Sequence, residues 1–189
     1  MSDLKDVLHA RLRDARAVVV GKLEGLSEYD VRRPMTASGT NLLGLVKHLT
    51  GNEQVYLGTA FGRPGSFTLP WVEDGSVWDG ADMWARPHES RQFLLDLYDQ
   101  ACRHGDDTIA ALDLDSPGSV PHWPEERRAT TLGVLLVRMV GETAQHAGHA
   151  DICREMVDGQ GPPDAASYGD EAFWAAYVGQ VQAAADAFR

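Results

Sequence analysis

The run GETAQHAGHADIC sets a carboxylate and two imidazoles at helical spacing, as Glu142, His146 and His149. At 100° per residue, Leu135, Met139, Glu142, His146, His149 and Cys153 fall within about 80° of one another on one side of a helix. Leucine, methionine and cysteine at the ends of this stripe mark it as the face turned to the core. Its middle therefore places polar groups among apolar neighbours. An unpartnered buried carboxylate costs several kcal/mol, a fair fraction of a domain's stability. A divalent cation satisfies all these groups together, so the pattern points to metal ligation.

Spacing limits the ligand sets. Glu142 and His146 stand at i, i+4, and His146 and His149 at i, i+3; either pair can converge on one ion. Glu142 and His149 are seven residues apart, about 10.5 Å of helical rise, which makes joint ligation by both difficult. His146 belongs to either solution. Two ligands from one helix make a weak site, and the best third candidate is His48, in the apolar run LLGLVKHL.

The elements that must carry these residues follow from periodicity. Leu4, Val7, Leu8, Leu12, Ala15, Val19 and Leu23 predict a helix over about 2–24. Residues 27–40, with Pro34, Ser38 and Gly39, read as a loop, after which Thr40 or Asn41 caps a second helix to about residue 60. Its expected inward residues are Leu45, His48, Leu49, Asn52 and Val55. Glycines and prolines break the stretch 61–87, and Trp71, Trp78 and Trp84 give it apolar anchors, so it reads as a long packed loop of functional or covering type. A third helix is expected over about 88–112, followed by a proline-broken connection. A fourth spans about 131–158 and stops at Gly159, with Pro162 and Pro163 beyond. Asp170 caps a last amphipathic helix through Phe173, Tyr177, Val181 and Ala184, with Trp174 and Tyr177 expected in the core. No segment alternates as a half-buried strand does. The expectation is an all-α fold, a four-helix bundle with an additional C-terminal helix, in one domain over residues 1–189.

Composition narrows the function classes. The chain has 189 residues, 43% hydrophobic and 24% charged, enough for one sizeable core. Seventeen Lys and Arg against 28 Asp and Glu give a net charge of -11, which disfavours nucleic acid and anionic membranes as partners. No apolar run is long enough for a membrane span. Cys102 and Cys153 form no CxxC, so a reducing cytoplasm is the expected location. A homodimer is left open.

The runs GTNLLGLVKHLTGNEQVYLG, HWPEERRATTLGVLLVRMVGETAQHAGHADICREMVDG and GDEAFWAAYV, in this order, resemble the DinB/YfiT-like superfamily of metalloenzymes over nearly the whole chain. The resemblance implies a four-helix bundle holding a divalent metal, zinc or nickel, through one histidine of the second helix and an H-x3-H or E-x3-H pair of the long late helix. Those positions match His48, Glu142 and His146, the E-x3-H form, similar to that of mycothiol-dependent maleylpyruvate isomerase. His149 falls where many relatives carry Gln, which leaves it a role behind the ligands or toward substrate.

Characterised relatives use mycothiol or bacillithiol as cosubstrate, so the resemblance implies a metal-dependent thiol S-transferase or isomerase acting on a small electrophile. Two other readings compete. A two-histidine, one-carboxylate site also suits a hydrolase, and a bundle of this kind can serve as a metal- or ligand-binding stress module. Several further residues have a structural and a functional reading. Cys153 reads as packing, and Cys102, His9, His88 and His104 as surface. His122 sits beside Trp123 in a loop able to approach the site, and Arg138 and Arg154 are candidates to hold a carboxylate of the thiol.

Overall fold

The computed structural model describes residues 3–159 and 165–189, so the expected stop at Pro162 and Pro163 lies outside the described residues. Four long helices make the bundle. Asp3 caps α1 (Leu4–Gly21), Asn41 caps α3 (Leu42–Tyr56), Ser90 caps α5 (Arg91–Ala111) and Thr131 caps α7 (Leu132–Asp158). Each capping side chain accepts a backbone N–H that the first helical turn leaves unpaired. At the far end of α7, Gly159 takes φ +72°, the left-handed turn that lets its N–H close on the Glu155 carbonyl.

The connections differ from the sequence reading in detail. Ser27 caps a five-residue helix, α2 (Glu28–Arg32), inside the expected loop. The second long helix stops at Tyr56, and a 3-10 turn (Thr59–Phe61) follows. The tryptophan-rich stretch folds into α4 (Pro70–Glu73) and two 3-10 turns, Ser76–Asp79 and Ala81–Met83. An antiparallel pair, β1 (Pro117–Ser119) and β2 (Ala129–Thr131), joins Pro117 to Thr131 around a one-turn helix, α6 (Glu125–Arg128). Three residues per strand are too few to show alternation, so no strand signal was present in the sequence.

α1 packs along α7, α7 against α3, and α3 against α5. The fold is all-α, with this bundle at its centre. The apolar core divides into two clusters. One gathers Leu45, Leu49, Trp71, Leu94, Ala150 and Cys153; the other gathers Leu12, Tyr56, Ile109, Leu132, Leu135 and Met139. Both α3 and α7 run through both clusters. The residues that lie between them, His48 and Asn52 on α3 and Glu142 and His146 on α7, are the polar ones.

Position on α3 governs more than its apolar pattern suggests. Of the expected inward residues, Leu45 and Leu49 are buried, whereas His48, Asn52 and Val55 are half-buried. Lys47 and Glu53 are fully buried, because α1, α5 and the 3-10 segment cover the faces that charge alone would assign to water. Arg16 of α1 grips Glu53 through Nε and Nη2, both at 2.7 Å, and Asp106 of α5 through Nη1 at 2.6 Å. His9 completes the group at 2.8 Å from Asp106. These charges tie three helices together on the side of α3 away from α7.

The C-terminal part departs from expectation. Asp170 caps α9 (Glu171–Asp186) as predicted, but no residue of that helix is buried. Trp174 packs instead with Tyr177, with Phe173 and with Tyr168 of α8 (Ala165–Tyr168), and Tyr177 stacks on Phe173. The Trp174 indole donates to the Ala165 carbonyl at 3.3 Å. The aromatic residues thus join α9 to α8 and not to the bundle core.

Candidate metal centre

α3 and α7 bring His48, Glu142 and His146 together, with one ligand atom from each lying within 4.8 Å of the others. Glu142 Oε1 is 3.4 Å from His48 Nε2 and 3.4 Å from His146 Nε2. Ligand atoms at ordinary zinc distances on a tetrahedral ion are about 3.4 Å apart, so two edges of the triangle already have that length. Side-chain exposures of 22%, 24% and 13% leave the three enclosed yet reachable, and His48 lines a cleft.

The Asn52 amide marks where the donor atoms of the cluster meet. Its Nδ2 donates to His48 Nε2 at 3.0 Å and to Glu142 Oε1 at 3.3 Å, supplying positive charge density where two ligand lone pairs meet. A cation makes the same contacts more strongly. The donor set, two imidazoles and one carboxylate with room beyond them, fits a borderline divalent ion such as zinc or nickel.

Behind the ligands, each imidazole has a partner. Asp82 Oδ2 accepts from His48 Nδ1 at 2.7 Å, which fixes the ring and turns Nε2 toward Glu142. Burial alone would lower the His48 pKa, but the Asp82 and Glu142 carboxylates raise it above its ordinary value. His146 moves the other way, lowered by burial and by the neighbouring His48. Its Nδ1 meets Nδ1 of His149 at 3.3 Å, and the rings stand edge to face at 5.4 Å. His149 is exposed and lies beside His146, outside the triangle of ligand atoms.

Asp82 was not singled out by the sequence, and its position depends on contacts with α3. A Cβ at Gly44 would overlap the Met83 carbonyl, so only glycine lets the 3-10 segment lie this close. Asn41 Nδ2 donates to that same carbonyl at 3.0 Å. Lys47 Nζ donates to the Trp84 carbonyl at 3.1 Å and to both Glu89 oxygens at 2.8 and 2.9 Å. The only sequence hint was an acid between two tryptophans of the loop.

Other singled-out residues sort clearly. His122 lines the cleft that reaches His48, as expected of its loop, and its ring meets Tyr56 and Trp78. Arg138 lies over the Tyr56 ring at 4.7 Å and the Trp123 ring at 5.4 Å. Arg154 donates to Asp158 and to the Lys22 and Glu24 carbonyls, which makes it a clamp between α7 and the end of α1 instead of a thiol contact. Cys153 is buried in the core, and burial raises its pKa. Cys102 is half-buried beside Arg16 in a separate cleft between α1 and α5, with burial lifting its thiol far above the ordinary range. His88 is exposed, while His9 and His104 are half-buried with hydrogen-bond partners.

A helical bundle with a two-histidine, one-carboxylate cluster between two of its helices defines the class, a DinB-like fold. Within that class the chain belongs to the mycothiol-S-transferase family, whose model matches residues 7–159. A solved structure described as a conserved protein of locus from Enterococcus faecalis shares the fold. It has a TM-score of 0.64 and 13% identity, over 85% of this chain and 100% of that one. No curated protein matches the chain. Among the described residues, no helix is long and apolar enough to cross a membrane.

Proposed function

We propose that the chain is a metal-dependent thiol S-transferase in which His48, Glu142 and His146 hold one divalent cation, zinc or nickel, and a low-molecular-weight thiol such as mycothiol is the attacking cosubstrate. The carrying observation is the convergence of these three side chains at ion-ligand spacing in a chain of the mycothiol-S-transferase family. A bound cation with open positions would supply Lewis acidity that lowers a thiol's pKa and favours the thiolate at neutral pH.

The chain's own residues do the rest. Asp82 holds the His48 ring through Nδ1, and His149 does so for His146, so both Nε2 atoms stay aimed at the same point. Asn52, which lines the cleft beside His48, would offer its amide to a bound substrate. No cysteine of the chain can replace the external thiol, since Cys153 is packed in the core and Cys102 lies in the α1 and α5 cleft. In transfer, the thiol proton leaves to solvent and a sulfur–carbon bond forms. The leaving group departs with its electron pair, and nothing is oxidised or reduced. Such a thiol persists in a reducing cytoplasm, which is where this reaction belongs.

The test is to incubate zinc-loaded protein with a model electrophile and mycothiol, bacillithiol, glutathione or no thiol. Thiol-dependent product above the uncatalysed rate, abolished in His48→Ala, is expected. Equal acceleration without thiol would assign a hydrolase instead, and stoichiometric metal with no acceleration in any arm would assign a binding module.

A further inference from the structure

The cleft that His48 lines bears on the choice of electrophile. It has a volume of about 570 Å³, in the range of small-molecule sites, and one end is formed by His48, Asn52 and Asp82. Its walls are flat and apolar: Tyr56 from α3, Trp71 and Val72 from α4, Val77 and Trp78 from the following turn, and the ring of His122. No lysine or arginine is among the residues that line it. Asp82 is its one acid, and that carboxylate is already engaged by His48.

We propose that this cleft selects flat, uncharged, apolar electrophiles, aromatic ones above all, and rejects those that carry a carboxylate. The proposal rests on the thiol-transfer reading and separates transfer to neutral compounds from isomerisation of an organic acid. An anion entering the cleft gives up its hydration and finds no lysine or arginine on its walls in return. The Arg138 guanidinium sits over the Tyr56 and Trp123 rings. Burial and then Arg138 lower the His122 pKa, which disfavours charge on its ring. The net charge of -11 opposes approach of anions from a distance. The remaining partner for a carboxylate would be the cation itself, at the position the thiol must take, so an anionic electrophile competes with its own cosubstrate.

Trp78 supplies the attraction. It is 77% exposed, the most uncovered of the large side chains around the cleft, and its ring meets His122 edge to face at 6.2 Å. A planar ligand laid on Trp78 covers that apolar surface and gains ring contact there, beside the ring of His122.

The experiment separates binding from turnover. Affinities of zinc-loaded protein, with saturating mycothiol present, for unreactive 1,3-dinitrobenzene and for 3,5-dinitrobenzoate are measured by calorimetry or ligand-observed NMR. The neutral compound is expected to bind about tenfold tighter or more. Trp78→Ala is expected to weaken it about tenfold with metal content unchanged. Val77→Lys is expected to narrow the preference. Equal affinities, tighter binding of the benzoate, or indifference to Trp78→Ala would overturn the proposal. Turnover is then followed with mycothiol and either 1-chloro-2,4-dinitrobenzene or 4-chloro-3,5-dinitrobenzoate, corrected for the uncatalysed rate. In both, a sulfur–carbon bond replaces the carbon–chlorine bond, chloride leaves with the pair, and the thiol proton goes to solvent. Selective binding without acceleration would uphold the cleft and remove the transferase reading. Equal acceleration of both compounds would uphold the transferase and remove the cleft's selectivity.

Discussion

Asp82→Asn isolates the contribution of a residue that touches no cation yet orients a ligand. The substitution keeps the size and one acceptor oxygen of the side chain but removes the charge that faces His48 Nδ1 at 2.7 Å. Loss of such a partner typically weakens metal binding about 10–100-fold. With zinc at 100 times the wild-type Kd, binding stabilises the native protein by about 2.7 kcal/mol. The variant then faces only one to ten times its own Kd, and the same zinc stabilises it by about 0.4–1.4 kcal/mol. For a chain of this length each kcal/mol moves Tm by about 2–4 °C, so a wild-type zinc shift of about 5–11 °C shrinks to about 1–6 °C. The assay is thermal denaturation with and without zinc, with Kd from chelator competition. Comparing the zinc-induced shifts, and not the absolute Tm values, removes any effect of the lost contact on the metal-free protein. An unchanged Kd in Asp82→Asn, alongside loss of zinc in His48→Ala, would refute the orienting role.

Three further outcomes are expected. Glu142→Ala loses stoichiometric zinc by elemental analysis while His149→Ala keeps it; loss only in His149→Ala would make His146 and His149 the ligand pair. Lys47→Met leaves Glu89 unpaired in the interior and costs about 3–5 kcal/mol in urea denaturation, most of it recovered in Lys47→Met with Glu89→Leu; a single variant as stable as wild type would mean that the pair is not desolvated. Asp106 is held below its ordinary pKa by Arg16 and His9, against the opposing effect of burial. A depressed folded pKa means that its contribution is complete above the unfolded value of about 3.9 and drains away as pH falls through the folded one. The stability gap between wild type and Asp106→Asn is therefore expected to be full at pH 6 and to close in strong acid, and a gap independent of pH would contradict the pairing.

The sequence was most legible where one helix speaks for itself. The stripe on α7, its stop at Gly159 and the cap at Asp170 depend on neighbours a few residues away, and the structure has them where periodicity puts them. The central helix was less legible, since burial there is decided by what surrounds it. Lys47 and Glu53 look like surface residues until Glu89 and Arg16 arrive from segments 42 and 37 residues distant. Asp82 was illegible for the same reason: a lone acid in an irregular stretch acquires meaning only when Gly44 lets the chain come close. Trp174 and Tyr177 show the converse error, because aromatic residues at helical spacing can be satisfied by a neighbouring short helix as well as by a core.

The two kinds of charged contact around α3 divide the work of the bundle. On the sides facing α1, α5 and the 3-10 segment, every buried charge has its opposite within about hydrogen-bond distance: Arg16 with Glu53, and Lys47 with Glu89. Breaking either pair strands a charge in the interior, so these contacts lock α3 in one orientation relative to its neighbours. On the side facing α7, the polar groups are of a different kind. Two imidazoles and a carboxylate crowd together with the Asn52 amide between them. Rigid pairing behind α3 fixes the helix that carries His48 and Asn52, and with it their spacing from Glu142 and His146. Weakening the Arg16 and Glu53 lock, by Arg16→Lys for example, should therefore loosen zinc binding from across the helix even though no ligand is touched.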